Sequence, residues 1–65
     1  MSPKRYTNAE IAASLRDLTT RMHEVADKMA AAEQCTPELV TKMGELRGAA
    51  DIAREWAGVI EEGEQ

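Results

Sequence analysis

The chain has 65 residues, a formal net charge of −4, one cysteine, one histidine, one tryptophan, one tyrosine and no phenylalanine. That length bounds it to one small domain, which buries too little surface to be comfortable alone and ordinarily leans on disulfides, a metal or a partner subunit. Cys35 as the lone thiol excludes an internal disulfide, and Cys35 with His23 falls short of a structural zinc site, so self-association is the remaining route.

The acidic balance argues against a nucleic-acid binder driven by bulk charge, because phosphate neutralisation needs clustered Lys and Arg. No apolar run approaches membrane-spanning length, and the N-terminus lacks a signal-peptide apolar region, so a soluble, cytoplasmic protein is expected, with no membrane partner. The single free thiol agrees with a reducing compartment.

In chain order, residues 1–6 lack apolar periodicity and Pro3 discourages an earlier helix start, which predicts a flexible N-terminal arm. Thr7 and Glu10 have the spacing of a capping box, and Tyr6 and Ile11 occupy the two hydrophobic-staple positions around it. A helix over 7–34 follows. Its apolar ladder, Ile11, Leu15, Leu18, Met22, Val25, Met29 and Ala32, steps four and three residues alternately, as in one seam of a coiled coil. Asp17 before Arg21 and Glu24 before Lys28 have the favourable acid-to-base order at i, i+4.

A turn is predicted at 35–36. Thr36 stands where an N-cap belongs, Pro37 at the first helical position, and Glu38 adds a carboxylate to the first turn. Cys35 and Val40 take staple positions, which predicts a half-buried, inert thiol with no adjacent base to activate it. A second helix over 37–62 carries the ladder Leu39, Met43, Leu46, Ala50, Ala53, Ala57 and Ile60. The short break folds the helices back antiparallel. Gly44, Gly48 and Gly58 fall inside this helix; either another backbone approaches them or the helix kinks near Gly48, and the unbroken phase of the ladder favours a continuous helix. Gly63 is the expected stop, leaving 63–65 as an acidic tail. The fold class is therefore all-α: an antiparallel, coiled-coil-like helical hairpin, expected to dimerise into a four-helix bundle.

The second helix has a further apolar line, Ala49, Ile52, Trp56 and Val59, which one hairpin cannot cover together with the main ladder. A Trp between Ile and Val is a typical association surface, with Arg47 or Arg54 expected at its rim. It predicts self-association as a homodimer, binding of another protein, or both. His23 and Asp27 at i, i+4 could share a metal, but Thr20 stands where the Glu of a carboxylate-bridged metal bundle would be, and a solvated surface histidine is expected. Regular Leu, Met and Ala spacing leaves no evident pocket for a nucleophile, base and orienter, so no enzyme activity, cofactor or metal is expected. The leading expectation is a non-enzymatic interaction module, an inhibitor or adaptor of the phage or mobile-element type. In layout and length the chain resembles the plasmid protein Rop, a hairpin that dimerises and binds paired RNA loops, and the Arg5-Tyr6-Thr7 start with its helical build resembles small phage proteins that sequester cyclic nucleotides. The second expectation is an RNA- or nucleotide-binding oligomer of that layout; no site is carried over from the resemblance, and the basic residues Lys4, Arg5, Arg16 and Arg21 are the candidate phosphate contacts. A structural subunit of a larger assembly is the third possibility.

Overall fold

The computed structural model describes residues 5–63, which form two helices, α1 over Asn8–Ala30 and α2 over Pro37–Glu62, packed as a hairpin. Lys4 and most of the predicted arm, with the last two residues of the predicted tail, lie outside the described residues.

Both helix starts follow their local chemistry. At α1 the capping box closes: the Thr7 N–H donates to Glu10 Oε1 at 3.3 Å, and the Glu10 N–H donates to Thr7 Oγ1 at 3.1 Å. At α2 the Leu39 N–H donates to Thr36 Oγ1 at 3.1 Å, and Pro37 occupies the first turn, where its missing N–H costs nothing. α2 is continuous through all three of its glycines. A Cβ built on Gly44, Gly48 or Gly58 would meet nothing within 4 Å, so no backbone among the described residues approaches them.

α1 ends four residues before the expected Gln34. The Ala31 N–H is shared between the Asp27 and Lys28 carbonyls at 3.2 and 3.1 Å, the tightening of a last turn, and residues 31–36 form the corner. Ala31, Ala32 and Glu33 are good helix formers, so propensity alone would carry the helix on. Closure overrides it, because the chain must cross to the second helix axis and reach Thr36 in the extended geometry (φ −79°, ψ 157°) that its capping role demands. Cys35, carried on this corner, is exposed rather than half-buried.

Partners across the hairpin run in reverse order, as antiparallel helices require: Arg16 with Glu61, Thr19 with Ala50, Asp27 with Arg47. On α2 the packed seam is Leu39, Met43, Leu46, Ala50, Ala53, Ala57 and Ile60, all buried or half-buried. On α1 the seam is displaced from the expected ladder. It runs Asn8, Ala12, Leu15, Thr19, Met22, Ala26 and Met29, keeping Leu15, Met22 and Met29 but substituting Ala12, Thr19 and Ala26 for Ile11, Leu18 and Val25, which are exposed. Small residues on both sides of the seam let the helices come close, and the fully covered side chains are accordingly alanines. Thr19 is the one buried polar residue among the described residues; its hydroxyl lies 2.9 Å from the Leu15 carbonyl oxygen and 3.3 Å from that of Ala50, tying the helices together at mid-length. Among the described residues neither Asp17–Arg21 nor Glu24–Lys28 forms an ion pair; exposed pairs of this type gain little against the side-chain entropy they cost.

Candidate functional site: the apolar face of the hairpin

Helix geometry divides the surface into two faces. Each residue is turned about 100° from the last, so positions just before and just after a seam residue fall on opposite sides of the seam. Every cross-helix ion pair joins two positions that follow seam residues: Arg16 Nη1 to Glu61 Oε2 at 2.7 Å, Arg47 Nη2 to Asp27 Oδ1 at 3.2 Å, and His23 Nε2 to Asp51 Oδ1 at 3.8 Å. These sides of α1 and α2 therefore share one polar face. The sides that precede the seam share the other.

That other face is apolar over much of its length. α1 contributes Ile11, Leu18 and Val25; α2 contributes Ala49, Ile52, Trp56 and Val59. Ile52, Trp56 and Val59 are 50%, 58% and 62% exposed, and Tyr6 joins Ile11, Ser14, Leu15 and Leu18 around a shallow apolar depression at the end remote from the turn. Sequence reasoning singled out the α2 line alone. Ile11, Leu18 and Val25 were hidden in the first ladder, which has room on a two-helix seam for only half its members. The signal that could separate them is the parallel Ala12, Thr19, Ala26 series, which has the same spacing and the smaller side chains.

Arg47 and Arg54 do not rim this surface. Arg47 is held by Asp27 on the polar face, and Arg54 lines a cleft there with Arg16, Thr19, Thr20 and His23. His23 is half-buried against the seam with Asp51 as its neighbour, rather than on an open surface beside Asp27. Among the described residues no three His, Cys, Asp or Glu side chains converge as a metal site. The candidate phosphate contacts are not gathered either. Arg16 is engaged by Glu61, Arg21 lies five residues on at the edge of the apolar face, Arg5 precedes α1, and Lys4 is outside the described residues. The Arg16 hydrogen bond and charge hold the Glu61 carboxyl below the usual carboxylate range and raise the guanidinium's own affinity for its proton.

Compared with protein-family models, curated proteins and solved structures, the chain gives no match. No helix among the described residues is long and apolar enough to cross a membrane.

Proposed function

We propose that the protein is a non-enzymatic protein–protein interaction module, a small cytoplasmic regulator that acts as an inhibitor or adaptor of the phage or mobile-element type, with the apolar face as its working surface. The observation that carries this reading is the segregation of Ile11, Leu18, Val25, Ile52, Trp56 and Val59 on one side of a hairpin whose other side is laced by ion pairs. Their accessible area is on the order of 600 Å², at the upper end of the largest apolar patch on typical monomers. Trp is the residue type that most often anchors interface energy, and here it sits between Ile52 and Val59.

A photoreactive residue in place of Val59, compared with one in place of Val40 on the ion-pair side, tests the assignment in cells that produce the protein. Cross-links specific to the Val59 position, lost on Trp56→Ala, are expected. Equal products from both positions would reject the face as the working surface.

A further inference from the structure

The occupant of the apolar face follows from its area, its edges and its length. Resting on the interaction-module reading, we infer that this face is covered first by a second copy of the chain, in a closed two-fold dimer whose axis runs parallel to the helices. Each α1 then lies on the α2 of the other copy, every neighbouring pair is antiparallel, and both ion-pair faces point outward.

Area is the first support. Standard interfaces take about 800 Å² from each partner, and the six large apolar side chains with Tyr6 approach that figure before any polar rim is counted. A monomer gains little by comparison: among the described residues no large side chain is fully buried between its own helices.

Edge charge decides the orientation. Along the apolar face the outer edge of α1 carries Ser14, Arg21 and Lys28, each one residue before Leu15, Met22 and Met29 of the seam. The outer edge of α2 carries Glu38 and Glu45 near the turn, then Ile52 and Val59. The Asp27–Arg47 pairing sets Lys28 and Glu45 at nearly the same height on the hairpin. An axis parallel to the helices keeps height, so Lys28 meets Glu45 of the second copy, and Arg21 lays its aliphatic stem on Ile52 of the second copy. An axis across the helices would instead set α1 on α1, with Arg21 and Lys28 edge against the same basic edge, which repels. It would also bring the polar turn end of one copy onto the apolar end of the other. Glu45 bonds Lys42 at 3.2 Å within the hairpin, an exposed contact that does not bar a second partner.

The experiment is sedimentation equilibrium across a wide concentration range, with Trp fluorescence and circular dichroism, on the wild type and five variants. The wild type is expected to be a dimer with Trp56 emission shifted to the blue. Leu18→Glu is expected to shift the equilibrium to monomer by at least a hundredfold in Kd, whereas Val40→Glu, on an equally exposed apolar residue of the opposite face, leaves it unchanged. Lys28→Glu and Glu45→Lys should each weaken the dimer several-fold, and the double swap should restore it. Because Leu18→Glu can simply unfold, the wild-type state, the Val40 control and the charge swap carry the decision. Growth beyond a dimer, loss of the dimer in Val40→Glu, or a swap that fails to restore it overturns the inference. A helical monomer with solvent-like Trp56 emission overturns the dimer but leaves the face open to another protein, whereas a helical monomer with shielded Trp56 overturns the interaction-module reading as well.

Discussion

The last turn of α2 carries Glu61 and Glu62 and no basic residue, an arrangement the helix dipole disfavours. Arg16 reaches across from α1 to Glu61 and supplies the missing positive charge at that end. Because the folded-state carboxyl titrates below its ordinary range, its stabilising contribution is complete at pH above that range and is lost as pH falls through the lowered value. The difference in stability between wild type and Arg16→Met is therefore expected at neutral pH and should shrink as the pH drops below about 4. Denaturant melts at a series of pH values measure it; a difference that stays constant through the acid range would assign Arg16 a packing role only. Cys35 gives a second residue-level expectation. It is exposed, and no ion pair or hydrogen bond from a described basic side chain reaches it. An aromatic disulfide reagent should label it in the native protein as fast as in denaturant, whereas a rate lowered tenfold or more would mean that the corner is covered.

At the scale of the element, Gly44, Gly48 and Gly58 interrupt no hydrogen bonding in α2, and their missing Cβ atoms would meet open space. Glycine in a helix interior costs about 0.8–1 kcal/mol relative to alanine. Gly44→Ala, on the ion-pair side, and Gly48→Ala, on the side of α2 opposite the seam, would each place a Cβ in open space and should therefore each raise stability by about that amount in thermal or denaturant melts. A loss of stability at either would show that a neighbour does pack there. The helix starts and the α2 seam were legible in the sequence because they are local: Thr7, Glu10, Thr36 and Pro37 act within one turn, and one apolar series on α2 combines 3.5-residue periodicity with alanines at its centre. The α1 seam was not legible in the same way. Two series there share Leu15, Met22 and Met29 and differ in whether Ile11, Leu18, Val25 or Ala12, Thr19, Ala26 complete them. Only the opposing Ala50, Ala53 and Ala57 decide in favour of the smaller set, and that is a property of the pair of helices. The end of α1 was equally a matter of closure, and the cross-helix ion pairs depend on a register that neither helix encodes alone.

For the whole molecule, the principal extents of 48 × 28 × 14 Å describe two helices side by side, one helix deep. A single layer has a seam but no interior, which is why alanines are its fully covered side chains and the larger ones stay half-buried or open. Its larger apolar groups are stabilising only when something lies on them. If a second copy does so, folding and association are one equilibrium, and stability depends on protein concentration. Each tenfold increase in concentration then adds about 1.4 kcal/mol to the apparent stability, which should raise the melting midpoint by roughly 3–8 °C. Circular dichroism melts across a hundredfold concentration range measure this directly. The same series on Leu18→Glu should begin from a lower midpoint and show a flatter slope, since a charge on the covered face removes the coupling. A wild-type midpoint that does not move would mean that the seam of small residues, with Thr19 and the ion pairs, suffices to hold the hairpin, and that Trp56 remains in water until a different protein arrives.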